Sequence, residues 1–157
     1  MFDATAPKGV HAYWKTEYLN DLGDNAVNVL IEHAAKMKSL SPFAAVHIHH
    51  WGGAVTSANA DATAFAHRNA RYVLNMLGLW MEHEKADQHI AWARDFSQAM
   101  QPFSTGQVYL NFLGDEGAER VKAAYGAARY QRLVALKNKY DPTNLFRLNQ
   151  NIKPSGE

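Results

Sequence analysis

Two polar residues stand two positions apart in an otherwise apolar run, Val-Tyr-Leu-Asn-Phe (Val108–Phe112). Alternation of this kind reads as a strand. Val108, Leu110 and Phe112 would face one side, Tyr109 and Asn111 the other. A phenol and an amide both donate and accept, so on an uncovered sheet face they are either solvated or line a site. Asn75 lies inside a second apolar run, Tyr-Val-Leu-Asn-Met-Leu-Gly-Leu-Trp. Left unpaired there, its amide would cost ~1–3 kcal/mol, and it cannot act as a base near neutral pH. His-Ile-His-His puts His47 and His49 on one strand face, ~6.6–7 Å apart along it, a spacing at which two imidazoles can share a zinc. A third ligand at motif spacing and a paired carboxylate are both missing, so a metal is not expected. His49 is expected to face a site. His67-Arg68 is expected to be structural, the arginine bonding loop carbonyls. No Ser/His/Asp set, phosphate loop or dinucleotide fingerprint is visible.

The elements that must position these groups come from periodicity. Val10–Leu19 is β-prone. Asp24–Met37 has a helical stripe, Ala26, Val27, Leu30, Ile31, Ala34 and Met37, with Asp24 as its cap. Phe43–Gly53 and Ala70–Trp80 are further strands. Glu84–Met100 is a second helix, carrying Ile90, Trp92, Ala93, Phe96 and Met100, and Val108–Phe112 a fourth strand. Two helices then flank Gly126. In the tail, Asp141-Pro142 starts a helical turn with a Tyr140–Leu145 staple. That turn aims Leu145 and Phe146 inward before an extended Asn149-Gln150-Asn151 segment. The order β-α-β-β-α-β predicts an α+β, ferredoxin-like antiparallel sheet with helices on one face, followed by C-terminal helices and a tail over 140–157.

The 157 residues suit one domain, 1–157, and 47% apolar content supplies a core. A formal charge of +1 gives no case for nucleic acid or an anionic membrane. The absence of cysteine removes disulfides, thiolate nucleophiles and sulfur metal sites. No signal-peptide pattern or long apolar span is present, so the expected location is cytoplasmic.

Taken together, Tyr140–Pro154 (Tyr-Asp-Pro-Thr-Asn-Leu-Phe-Arg-Leu-Asn-Gln-Asn-Ile-Lys-Pro), Tyr125-Gly126 and Arg132–Lys139 resemble the C-terminal signature of the berberine-bridge-enzyme-like FAD-linked oxidoreductases. Val108–Gly117 resembles that family's Tyr-x-Asn strand. The Gly52-Gly53 hairpin, Phe65-x-His67-Arg68 and Tyr72…Trp80 resemble its other elements in the right order.

The resemblance implies a substrate domain covering the isoalloxazine of an FAD that a separate N-terminal domain holds. No counterpart of that domain is seen here. It implies a piece of a longer enzyme, or a subunit needing an FAD-binding domain or partner. The implied reaction is hydride abstraction from a C–H beside an alcohol, sugar hydroxyl or amine. Tyr109 would then be the catalytic base or would orient the substrate hydroxyl. The base role needs a strong drop from the ordinary phenol pKa of ~10. Asn111 and Asn149 would lie against the cofactor; Asn75, Tyr72 and His49 would contact a small-molecule substrate. Plant-type relatives carry Glu or Gln at the place of Asn75, so their carboxylate chemistry does not transfer. The alternative is a non-catalytic α+β module for dimerisation or small-ligand binding, and a homodimer through the bare sheet face is expected.

Overall fold

In the computed structural model, residues 7–37, 39–81, 86–114 and 116–156 are described. Three strands form one antiparallel sheet: β1 (His11–Leu19), β2 (Ala45–His50) and β3 (Tyr72–Trp80), in the order β1-β3-β2. The pairing register sorts the side chains into two faces. One carries the rows Leu19–Tyr72–His50, Glu17–Leu74–Ile48 and Lys15–Met76–Val46; the other carries Tyr18–Val73–His49, Thr16–Asn75–His47 and Trp14–Leu77–Ala45.

Helices α1 (Asp24–Met37) and α3 (Ala86–Met100) cover the first face. Leu19, Leu30, Leu74, Met76, Phe96 and Met100 form the core between them. The expected start of α3 at Glu84 lies outside the described residues. Gly78 lets α3 approach closely: a Cβ there would sit 3.1 Å from the His89 carbonyl. The α1 stripe is rotated from the predicted one. Ala26 and Leu30 are buried and Val29 packs on the core, while Ile31 is 63% exposed. Its first helical bond runs from Val27 N to Gly23 O, so Gly23, not Asp24, holds the cap position.

The fourth strand does not form. A single bridge, Leu19–Ser104, starts a ladder on the free edge of β1, and Thr105 N donates to Tyr18 O at 2.9 Å. Gly106, at φ +74, then turns the chain away. A continued ladder would set Tyr109 opposite Trp14. Instead the Trp14 indole donates to Phe112 O at 2.8 Å, three residues further on. A 3₁₀ turn at Leu110–Phe112 takes up the surplus. Residues 104–114 thus wrap round the edge and roof part of the face expected to be bare, with Tyr109 and Phe112 packed against Tyr18 and Val73.

After a short helix α2 (Ala54–Ser57) in the β2–β3 connection, the remaining helices are α4 (Ala118–Tyr125) and α5 (Ala127–Tyr140). Val121 and Ala124 of α4 pack with Val108 and Leu113, but α5 buries no residue. A turn does form at Asp141, with Asn144 N donating to Asp141 O at 3.1 Å, but Asn144 at φ 53 ends it and no helix follows; Asp141 instead caps the C-terminus of α5. Its carboxylate accepts from Leu145 N at 2.8 Å and Phe146 N at 3.1 Å. Leu145 and Phe146 point outward, 72% and 79% exposed, so neither the staple nor the inward anchor exists. The Asn149–Asn151 segment bends rather than extends, with Asn149 at φ 58. Among the described residues no helix is long and apolar enough to cross a membrane.

Candidate functional site

Four segments meet at the roofed end of the sheet: β1, the loop before β3, the 104–114 crossing and the end of α4. Between them lies a cavity of about 200 Å³ lined by Tyr18, Phe65, Tyr109, Asn111 and Tyr125, with alanines filling the gaps. Tyr109 is held edge-on by three rings, Trp51, Phe65 and Phe112, with centroids 5.4, 5.9 and 5.0 Å away. Such packing fixes the ring and leaves its polar tip to be satisfied separately. Asn111 Nδ2 donates to the Tyr109 hydroxyl oxygen at 2.8 Å. That bond occupies a lone pair and leaves the phenol O–H free to donate.

The loop that brings Phe65 is tied down by arginines. Arg68 donates to Val55 O at 2.7 Å and to Thr63 Oγ1 at 2.8 Å, and its guanidinium lies 4.9 Å from the Phe65 ring centre. This is the structural role expected of it. His67 adopts φ 57, a region side chains rarely visit, and its Nε2 lies 3.1 Å from Ala123 O, pinning the loop to α4. Burial, and next the neighbouring Tyr109, push the Tyr18 phenol well above its ordinary 10. Burial raises Tyr125 as well. Both therefore stay protonated near neutral pH, as O–H donors.

Tyr109 and Asn111 meet, although on a turn and not on a strand. His49 shares their side of the sheet and touches Phe112 at 5.9 Å between centroids. Asn75 is on that face too, 4% exposed, and its Oδ1 accepts from Thr16 Oγ1 at 3.2 Å directly across the strand pair. Tyr72 is not brought to the cavity. It lies on the helix face beside His50 and packs on the main core. Asn149 sits in the exposed tail and is not among the residues that line the cavity. His47 and His49 are 5.9 Å apart edge-on, and no set of three His, Asp or Glu residues converges among the described residues. Sequence reasoning missed Tyr18, Phe65 and Tyr125. Tyr18 was recoverable, since it alternates with Leu19 and Glu17 on β1.

A sheet with helices on one face and a phenol-rimmed aromatic cavity on the other can bind a small organic group. At about 200 Å³ the cavity is smaller than the ~300–1,000 Å³ usual for ligand clefts. Its residues thus fit a substrate-sized group or one face of a flavin ring, and do not cradle a whole FAD. Residues 108–153 match the family described as "Berberine and berberine like". The chain corresponds to the C-terminal region of the berberine-bridge-enzyme-like FAD-linked oxidoreductases. It is 35% identical over 105 residues to the uncharacterized FAD-linked oxidoreductase YvdP of Bacillus subtilis, covering 67% of this chain and 23% of that one. Berberine bridge enzyme-like C-1 of Nicotiana tabacum is 29% identical over 94% of this chain and 31% of its own. Among solved structures, Physcomitrella patens BBE-like 1 superposes with a TM-score of 0.75 at 26% identity, over 90% of this chain and 30% of that one. The Eschscholzia californica berberine bridge enzyme shares the fold, with a TM-score of 0.80 at 23% identity over 94% of this chain and 34% of that one. The chain thus spans about a quarter to a third of the length of the relatives it matches.

Proposed function

We propose that this chain supplies the substrate side of an FAD-dependent oxidoreductase that takes hydride from a C–H beside an alcohol, sugar hydroxyl or amine. The observation that carries this reading is the Tyr109 hydroxyl, oriented by Asn111 at an aromatic cavity in a chain matching this family. FAD, bound by a separate domain or subunit, accepts the hydride. Tyr109 positions the substrate hydroxyl as a neutral phenol, or, once it has lost its own proton, receives the substrate hydroxyl proton as a phenolate. Asn111 holds the phenol and would also contact the flavin. Asn149, exposed on the tail, is available to the FAD-binding part. His49 and Asn75 line the substrate side, and Tyr72 acts only at a distance, through β3. The unit 1–157 folds as one domain in a cytoplasmic enzyme, without nucleic-acid or membrane partners.

The test replaces the corresponding region of YvdP by this chain and follows flavin absorbance under anaerobic conditions with a panel of sugars, primary alcohols and amines. Bleaching with at least one class is the expected result. A correctly folded, flavin-loaded hybrid that is never reduced would overturn the reading. The second reading, a non-catalytic dimerisation module, is favoured by the exposed apolar side of α5 and the tail. It predicts a stable homodimer by sedimentation at tens of micromolar, with no flavin role.

A further inference from the structure

Glu17 lies on the helix side of β1 and is 2% exposed. Its Oε1 accepts from Ser97 Oγ at 2.7 Å and Gln101 Nε2 at 2.8 Å, and its Oε2 accepts from Ser104 Oγ at 2.6 Å. Among the described residues no basic group pairs with it. A buried carboxylate held only by neutral donors is a costly way to fasten a helix to a sheet, and an apolar side chain would pack there at least as well. An acceptor with lone pairs in two directions does something an apolar group cannot. One oxygen is filled from α3 and the turn after it. The other is aimed at the residue where the chain leaves the helix layer.

That residue, Ser104, is the one bridged to Leu19 at the free edge of β1. Its Oγ also accepts from Gly106 N at 3.1 Å, closing the turn that sends the chain across the edge toward Tyr109. Past Tyr109, the crossing is fastened to β1 again by Trp14 Nε1 to Phe112 O, at 2.8 Å, and by Lys15 Nζ to Glu116 Oε1, at 2.8 Å. Besides its packing on α4 and the surrounding rings, the crossing that carries Tyr109 and Asn111 is therefore attached to β1 at two places, one on either side of Tyr109. The upstream attachment is a single bridge, reinforced by one carboxylate.

We infer that Glu17, acting through Ser104, is a positioning residue for the Tyr109–Asn111 pair. It sets where the crossing departs from β1, and hence where the phenol sits over the sheet. The catalytic meaning of this rests on the reading of Tyr109 given above; the mechanical claim does not.

The two branches of the carboxylate allow a clean separation. Ser104→Ala and Glu17→Gln weaken the Oε2 branch, the second without touching the Ser104–Gly106 bond. Ser97→Ala removes one of the two donors to Oε1 and leaves the Oε2 branch intact. Each variant of the full chain is followed by thermal melting and by NMR of the Asn111 side-chain amide, the Trp14 indole N–H and the exchange rates of the Phe112 and Leu113 amides. Ser104→Ala and Glu17→Gln are expected to shift the Asn111 amide signals and to speed exchange at Phe112 and Leu113 at least tenfold. Ser97→Ala is expected to lower the melting temperature while leaving those signals and rates within twofold of the parent. The inference is overturned if Glu17→Gln leaves the Asn111 signals and the exchange rates unchanged, whatever Ser104→Ala does, or if Ser97→Ala disturbs them equally. In the YvdP hybrid, Ser104→Ala should lower kcat with little change in KM. If Tyr109→Phe there leaves turnover intact, the catalytic reading fails, while the NMR result still decides the mechanical one.

Discussion

A tyrosine two residues from an asparagine has no special chemistry until something fixes both. Here three aromatic rings hold Tyr109 by its edges, and the Asn111 amide takes one lone pair of its oxygen. The pair was legible in Val108–Phe112; the means of bringing it together was not. Asn75 shows the same division. An amide in an apolar run signals a partner, and the sequence could not say which. The register supplies it: Thr16 stands directly opposite and donates at 3.2 Å. Thr16→Val keeps the shape and removes that donor, so it is expected to cost about 1–3 kcal/mol, read from urea melts. A loss below a few tenths would show that Asn75 is satisfied without it. Tyr72 lies on the core side and not the cavity side because one position along a strand decides the face. Its neighbour Val73 lies on the cavity side and Tyr72 does not.

At the scale of elements, the regular segments were readable and the edge crossing was not. α1 was predicted from its pattern over the residues it occupies, β1 to within one residue and β3 to within two. The Val108–Phe112 alternation is a valid strand signal, but strand preference is mostly a preference for packing. Gly106 and the aromatic pocket around Tyr109 offered these residues better packing off the ladder than on it. The tail was misread for a related reason. Asp141 does cap backbone N–H groups, as its type suggested, but those of a loop that closes α5 and not those of a new helix. Phe146→Ala is consequently expected to change stability by no more than about 0.5 kcal/mol, whereas Leu74→Ala, at a fully buried position, should cost about 2–5 kcal/mol. Equal losses in parallel melts would contradict the described tail.

Hydrogen bonding from Lys137, reinforced by the Leu145 and Phe146 amides, holds the Asp141 carboxyl below its usual 3.8 despite partial desolvation. A depressed folded value means the clamp contributes fully above the ordinary carboxylate range and is lost as pH falls through the depressed value. Protection of the Leu145 and Phe146 amides, corrected for intrinsic exchange, should therefore persist at pH 5 and vanish at strongly acid pH. Protection that stays constant across that window would remove Asp141 from the account.

For the whole molecule, the distribution of exposed apolar side chains is the informative quantity. Leu136, Tyr140, Leu145, Phe146 and Leu148 are 52–84% exposed on α5 and the tail, more than a lone apolar side chain here and there. The cavity side of the sheet, expected to be bare, is partly roofed by the chain's own crossing. A homodimer, if it forms, should thus use α5 and the tail, and Phe146→Glu should dissociate it where Tyr109→Glu does not. The cavity's lining of aromatic rings, alanines and one amide is no dinucleotide cradle, so FAD added to this chain by itself should show no stoichiometric quenching at low micromolar concentration. Tight binding there would mean that the chain holds its own cofactor.

The central claim is that the Tyr109 hydroxyl takes part in the proton movement that accompanies hydride transfer. Rapid-mixing measurement of anaerobic flavin reduction, comparing the YvdP hybrid carrying this chain with its Tyr109→Phe variant, tests it most directly. Phenylalanine keeps the edge-on ring packing and removes only the hydroxyl. The account predicts that the reduction rate falls by roughly 10²–10⁴-fold with the flavin spectrum unchanged; a variant reduced as fast as its parent would contradict it.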